Sequence, residues 1–153
     1  MTGAPMPEEN APTRLQLYTH FGAFELRVED IVSFPTGLPG FEAVRRFVIL
    51  SSPEMAPLQC LQSVDGPSPS FLVVDPRLVL EGYRTRLNQS DLVRLGVTDD
   101  TSLVWLAIVT VGPEGAFVNL RAPVVINPER MLGFQLVPSD SLYPLRHPLD
   151  AEG

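Results

Sequence analysis

The side chains that could do chemistry are few and are not grouped along the chain. The two histidines, His20 and His147, lie near opposite ends of the 153 residues, and neither has a metal-ligand partner at a useful spacing. We expect His20 in a turn and His147 in a proline-rich tail, both in structural roles. The lone cysteine, Cys60, stands in an apolar run, where cysteines usually behave as small inert hydrophobes. The sequence therefore predicts no catalytic residue and no metal site.

The acidic residues also fail to single out a catalytic pair. Glu29 and Asp30 are adjacent, as are Asp99 and Asp100, and both pairs stand where a strand would meet a solvated turn. Distant carboxylates can still meet in a fold, so paired acids stay open as an alternative. The sequon that begins at Asn88 is better explained as a helix cap than as a glycosylation site.

The most distinctive segment is residues 34–41, FPTGLPGF. Two glycines and two prolines within six residues fix its backbone path, and Phe34 and Phe41 bracket it. A phosphate cradle would need free N–H groups and usually a lysine, whereas prolines remove donors here. We interpret the segment as an ordered loop pinned to the core by the two phenylalanines, with a partner-binding loop as the alternative.

A second distinctive segment, residues 119–127, reads NLRAPVVIN. Asn119 and Asn127 bracket an Ala-Pro break between two short strands. Asparagine side chains often satisfy backbone groups where a strand breaks or bulges. A structural role and a recognition role both stay open for this segment.

The elements that position these segments are predicted to be short strands. Apolar runs rich in β-branched and aromatic residues recur between turn-forming residues, which predicts about ten strands. They cover residues 14–19, 23–28, 31–34, 47–50, 58–64, 71–74, 103–111, 116–119, 124–126 and 134–137, with a hairpin turn over 20–22. The run 103–111, LVWLAIVTV, lacks helical periodicity and is expected to be a central strand buried on both faces.

Helix signals are sparse. The clearest covers Gln89 to Leu95, with Asn88 as its cap and Gly96 just past its end. A further helical turn is expected around residues 41–46. The predicted fold is all-β, a small antiparallel β-barrel-like or sandwich domain with one short helix.

Composition bounds the class of protein. The chain is 44% hydrophobic and 19% charged, which is typical of a globular protein. Eighteen acids stand against eleven bases, all arginine, and the net charge of −7 opposes direct nucleic-acid binding. The longest apolar run is about half the length of a membrane-spanning helix. We expect a cytoplasmic monomer without membrane contact, comprising a flexible tail over residues 1–12 and one domain over 13–150.

Several pieces of the chain, in order, resemble the FliW family of flagellar assembly factors. These pieces are FGAFEL, FPTGLPGFE, RFVIL, LQSV, SFLVVDP, LVWLAIVTV, NLRAPVVIN and GFQLV, and they extend from about residue 21 to residue 149. The resemblance implies a small β-barrel-like protein without enzymatic activity or cofactor. It also implies two protein partners, the RNA-binding translational repressor CsrA and flagellin.

In the partner switch that the resemblance implies, flagellin holds the factor until export depletes the flagellin pool. The freed factor then captures CsrA and relieves repression of flagellin translation. Matching to the family's motifs gives the predicted partner-binding residues, which are Leu38, Pro39, Phe41, Gln62, Ser63, Asn119, Arg121 and Pro123. A second function class stays open, a small barrel enzyme or carrier that holds a flavin-type cofactor in its barrel mouth.

Overall fold

Seven strands close into a barrel in the computed structural model, which describes residues 14–19, 22–66, 68–100 and 102–149. Within these residues the strands are β1 Arg14–Thr19, β2 Gly22–Arg27, β3 Val32–Ser33, β4 Arg46–Leu50, β5 Gln59–Ser63, β6 Ser70–Val74, β7 Val104–Gly112, β8 Gly115–Val118, β9 Val124–Asn127, β10 Leu132–Gln135 and β11 His147–Pro148. The barrel order is β3-β4-β5-β6-β7-β9-β10, and it closes because β10 pairs back onto β3.

The strand pairs confirm the predicted antiparallel architecture with one exception. The pair β3–β10 is parallel and joins Ser33 to Leu132. The strands β8 and β11 continue the sheet outward from β7, and β1 pairs with β2 as a separate hairpin. The tail predicted over residues 1–12, and residues 20 and 21 of the predicted hairpin turn, lie outside the described residues.

Alternation along the strands separates the barrel interior from its outer faces. On β4, Phe47 belongs to the interior cluster, whereas Val48 packs with the outer cluster around Leu26 and Cys60. The interior holds Val32, Phe34, Leu38, Phe47, Leu61, Val73, Leu106, Val124 and Ile126. Three further clusters cover the outer faces, under the hairpin, under the C-terminal segment and under the main helix.

These outer clusters explain the burial of β7. Leu106 faces the barrel interior and Ala107 the cluster beneath the C-terminal segment, and both are buried. The prediction of burial on both faces is confirmed at the middle of this strand. It is wrong at the ends, where Val104 is 36% and Val111 69% exposed, because β7 extends beyond the segments that cover it.

Two helices lie in the connection from β6 to β7: α1 Pro76–Val79 and α2 Gln89–Leu95. The predicted α2 is confirmed with its caps, since the Asn88 side chain accepts from the Asp91 N–H at 2.7 Å and Gly96 is left-handed with φ 75°. The short α1 was not predicted, although the sequence carries its signal: Asp75 caps it directly before a proline at the first helical position.

The helical turn expected around residues 41–46 is wrong. Residues 41–44 form a single β-turn in which the Val44 N–H donates to the Phe41 carbonyl at 3.0 Å, and β4 begins at Arg46. Too few residues separate the turn from the strand to start a helix, whose first turn must order several residues for one hydrogen bond.

Candidate functional site

The first distinctive segment and the start of the second, residues 119–123, lie at one end of the barrel. This end, called the loop end below, consists of residues 34–45 between β3 and β4, the β5–β6 turn, and residues 119–123 leading into β9. The strand registers fix this placement, since Ser33 lies opposite Arg46 where the first connection starts and ends. The registers of β5 with β6 and of β7 with β9 bring the other two connections to the same side.

The tip of the 34–45 loop is a proline-glycine turn. The Phe41 N–H donates to the Leu38 carbonyl at 2.7 Å, with Pro39 and Gly40 between them. Gly40 has φ 87°, so the turn has the residue order and backbone sign of a type II turn. Gly40 also donates its N–H to a carboxylate oxygen of Glu42 at 3.0 Å, and this hydrogen bond lowers the Glu42 pKa.

The base of the loop is closed by backbone contacts. The Phe34 N–H donates to the Arg45 carbonyl at 2.8 Å, and the Gly37 N–H donates to the Phe34 carbonyl at 2.8 Å. Gly37 has φ 66°, and a Cβ there would lie 2.6 Å from the Glu42 Cα. A side chain at this position would therefore strain the loop and collide with the backbone of the 41–44 turn.

The loop turns one apolar side chain inward and another outward. Leu38 is 2% exposed and packs in the barrel interior, whereas Phe41 is 41% exposed. The Phe41 ring lies edge-to-face against Phe71 with centroids 5.6 Å apart, and Phe71 in turn approaches Phe47 at 6.3 Å. An aromatic chain thus links the core to the surface, and Phe41 is presented on a supported base.

Gln62 and Ser63 lie beneath the surface of the loop end. Both are buried, and the Gln62 Nε2 donates to the Ser63 carbonyl at 3.2 Å and to the Gly66 carbonyl at 3.5 Å. The Ser63 hydroxyl accepts from the Asp65 N–H at 3.2 Å. These two side chains therefore shape the β5–β6 turn, and any effect on a partner would pass through that turn.

An ion pair ties the same turn to the base of the 34–45 loop. The Arg46 Nε donates to Asp65 Oδ2 at 3.2 Å, and a second guanidinium nitrogen donates to Oδ1. The hydrogen bonds from Arg46 hold the pKa of the Asp65 carboxyl below its ordinary value. Both side chains are about half exposed, so the pair orients the turn more than it stabilises the fold.

Segment 119–123 is held by side-chain hydrogen bonds. Asn119 Oδ1 accepts from the N–H groups of Arg121 at 3.0 Å and Ala122 at 3.1 Å, which forms an Asx turn. The Arg121 Nε donates to the Tyr143 carbonyl at 2.9 Å, while the buried Pro123 accepts through its carbonyl from Leu136. Asn119 therefore satisfies backbone groups where the chain breaks before β9, which is one of the two roles left open for this segment.

Asn127, which ends the same segment, lies at the opposite end of β9. Its buried side chain donates to the Leu95 carbonyl at 2.7 Å and accepts from the Glu129 N–H at 3.0 Å. It therefore closes the C-terminus of α2, where helix carbonyls lack partners.

The eight predicted partner-binding residues divide into exposed residues and buried residues that support the loops. All eight belong to the loop end or to the strand residues directly beneath it. Pro39, Phe41 and Arg121 are exposed, Asn119 is half-buried, and Leu38, Gln62, Ser63 and Pro123 are buried. Sequence reasoning missed Phe71 and the Arg46–Asp65 pair, because both depend on which strands become neighbours.

The described residues contain no group of three or more histidine, cysteine or acidic side chains arranged to hold a metal ion. Cys60 is fully buried, and burial raises the pKa of its thiol. In the same described ranges, none of the helices has the length and apolar character needed to cross a bilayer.

Comparison with known proteins adds the family. A model of the FliW protein family matches residues 16–149 of the chain. The flagellar assembly factor FliW of Natranaerobius thermophilus is 38% identical over 133 residues, which cover 85% of this chain and 88% of that protein. The factor of the same name from Geobacter sulfurreducens is 36% identical over 132 residues, covering 85% of this chain and 82% of its own.

A solved structure agrees with these sequence matches. The crystal structure of a flagellar assembly factor FliW superposes with a TM-score of 0.79 at 31% sequence identity. The superposition covers 89% of this chain and 96% of that chain. The closed barrel described above is therefore the fold of a protein with that name.

Proposed function

The chain belongs to the FliW family, and from that premise we propose that it is a flagellar assembly factor that works by binding other proteins. The names of its relatives support the first part of the proposal. The second part is supported by a site built from shaped loops that present an exposed aromatic side chain, Phe41, on a supported turn. None of the family matches indicates an enzyme, so the flavin-type alternative is not favoured.

We propose CsrA and flagellin as the two partners, bound by a monomer in the cytoplasm. Binding to CsrA would keep messenger RNA off the repressor and so relieve repression of flagellin translation. The net charge of −7 supports this choice, because an acidic protein is attracted to a basic RNA-binding protein and repels RNA when bound beside it. Raised salt should therefore slow association with CsrA, and an on-rate independent of salt would contradict the electrostatic part of the proposal.

The observation that carries the choice of surface is the exposure of Phe41 on a rigid turn. Interface energy concentrates in a few well-supported side chains, and aromatic residues are common among them. Phe41 is held by the Leu38 anchor inside the barrel and by the Phe71 ring beside it. Preorganisation of this kind lowers the entropy lost when a partner binds.

The test is calorimetric titration of this protein with CsrA from the same organism, repeated with flagellin already bound. Tight binding that flagellin abolishes is the expected result. Binding to CsrA in the presence of flagellin would leave the antagonist without the switch, and binding to neither would refute both partners.

Two variants locate the surface. Phe41→Ala is expected to weaken binding to at least one partner by roughly thirtyfold, as loss of an aromatic anchor does. Tyr18→Ala is the matched control, because Tyr18 is an aromatic residue that is 72% exposed on the β1–β2 hairpin, which is not part of the loop end. Equal losses in the two variants would argue against the loop end as the binding surface.

A further inference from the structure

A groove beside the barrel carries arginines that the proposed function does not use. It runs between residues 84–94 and residues 135–143 and encloses about 990 Å³. Its walls include Arg84, Arg86 and Arg94, in a chain whose net charge is −7. We call it the arginine groove.

Two of these three arginines are available to a ligand. Arg94 is already engaged, since it pairs with Asp91 at 2.8 Å and lies 4.7 Å above the ring of Phe134. Arg84 and Arg86 are exposed, and their guanidinium groups have neither an ion pair nor a hydrogen bond within the residues that the structure describes. Guanidinium groups in this state are suited to pair with carboxylates.

The two available arginines have a defined spacing. Tyr83 and Thr85 are buried and joined by a 2.9 Å hydrogen bond between their hydroxyls, whereas Arg84 and Arg86 are exposed. Burial that alternates with a period of two indicates an extended backbone. Next-but-one side chains on such a backbone project to the same side, roughly 7 Å apart.

The opposite wall of the arginine groove presents apolar side chains. Leu142 is 98% exposed and Val137 is 72% exposed. Asp140, an exposed acid, lies between them in the sequence. Even with Asp91 and Asp140 counted, the arginines outnumber the acids in the groove, whereas acids outnumber bases in the chain as a whole.

We propose that the arginine groove binds an extended acidic segment of another protein. Carboxylates at alternate positions of that segment pair with Arg84 and Arg86, and the apolar residues between them contact Leu142 and Val137. Charge complementarity selects this occupant, because an acidic peptide is repelled by most of the molecule and attracted here. The β-spacing of its carboxylates matches that of the arginines.

The test is fluorescence anisotropy of the full chain with a labelled eight-residue peptide that alternates leucine and glutamate. The variant Arg84→Gln/Arg86→Gln is expected to bind this peptide about tenfold more weakly, as loss of two partly exposed ion pairs does. The matched control is Arg14→Gln/Arg27→Gln, which removes the same charge from the β1–β2 hairpin. Leu142→Ser is expected to weaken binding as well, with Val111→Ser, also at an exposed apolar residue, as its control.

Three results would overturn the proposal. Equal losses in the two double variants would assign the effect to net charge. Equal binding of a peptide with glutamine in place of glutamate would remove the role of the arginines. Absence of any binding by the unmodified protein would show that the groove does not bind such a peptide. Circular dichroism of all variants checks that loss of folding does not explain a loss of binding.

Discussion

The rings of Tyr83 and Tyr143 pack against each other with their centroids 4.5 Å apart. The Tyr143 hydroxyl also accepts a hydrogen bond from the Arg84 N–H at 2.9 Å. These contacts join the two walls of the arginine groove, residues 84–94 and residues 135–143. Side-chain contacts thus hold the two walls together, and the Arg94 guanidinium over the Phe134 ring at 4.7 Å adds another.

Removal of the Tyr83 hydroxyl is expected to destabilise the fold. Tyr83 is 6% exposed, donates to the Leu120 carbonyl at 2.8 Å and accepts from the Thr85 hydroxyl at 2.9 Å. Tyr83→Phe leaves two buried groups without a partner, which lowers the free energy of unfolding by about 1–3 kcal/mol. Denaturant unfolding measures the change, and Tyr18→Phe at a 72% exposed position should show none.

Two glycines of the 34–45 loop separate steric from conformational cost. Gly37→Ala places a Cβ 2.6 Å from the Glu42 Cα, at φ 66°. Gly40→Ala is also at positive φ, 87°, but meets nothing within 4 Å. We expect Gly40→Ala to lower the free energy of unfolding by about 1 kcal/mol and Gly37→Ala to lower it further. Thermal and urea unfolding measure both variants. Equal losses of unfolding free energy in Gly37→Ala and Gly40→Ala would contradict the collision inferred at Gly37.

The contact between Gly133 and Phe34 predicts an overpacking effect at the β3–β10 seam. A Cβ at Gly133 would lie 2.6 Å from the Phe34 ring, which is fully buried. Gly133→Ala is expected to lower the free energy of unfolding by about 1–3 kcal/mol, because the ring must shift within a packed interior. Gly112→Ala, where a Cβ meets nothing within 4 Å, is the control. Equal midpoints of denaturant unfolding for Gly133→Ala and Gly112→Ala would contradict overpacking against the Phe34 ring.

The Arg46–Asp65 pair predicts a pH dependence with a defined sign. Its carboxyl pKa is lower in the folded chain than in the unfolded one, so the unfolded state binds more protons as pH falls. The pair's contribution is present above the ordinary aspartate pKa and is lost as pH falls through the lowered value. Arg46→Gln should raise the Asp65 pKa in an NMR titration and reduce stability slightly at pH 7, with the difference vanishing in acid. An unchanged carboxyl titration would show that Arg46 is not the cause.

Local sequence patterns predict where the strands and helices lie, but they do not predict which strands pair with each other. The strands and α2 follow from alternation, β-branched residues and caps, all readable within a few positions. The barrel closure joins β3 to β10 and β7 to β9, and no local signal specifies such distant pairs. The ordered 34–45 loop was predictable because Gly37 and Gly40 adopt positive φ angles, which glycine allows regardless of its surroundings.

The sequence predicted which segments form the candidate site, but not which of their side chains are buried. Gln62 and Ser63 are polar and were expected to meet a partner, yet the turn they support buries them. Burial of polar side chains depends on acceptors such as the Gly66 carbonyl, whose position follows from the folded turn. Phe71 looked like an ordinary strand residue, and its contact with Phe41 appears only when β6 is placed beside the loop.

The route by which the barrel closes has a consequence for how the molecule opens. From β3 to β7 each strand pairs with the next one along the chain, whereas the closing pair Ser33–Leu132 joins positions roughly a hundred residues apart. That seam has a register of one residue pair, against four for β4–β5. We expect the barrel to open locally most easily at this seam. Amide hydrogens of β3 and β10 should exchange with a lower free energy of opening than those of β4 and β5.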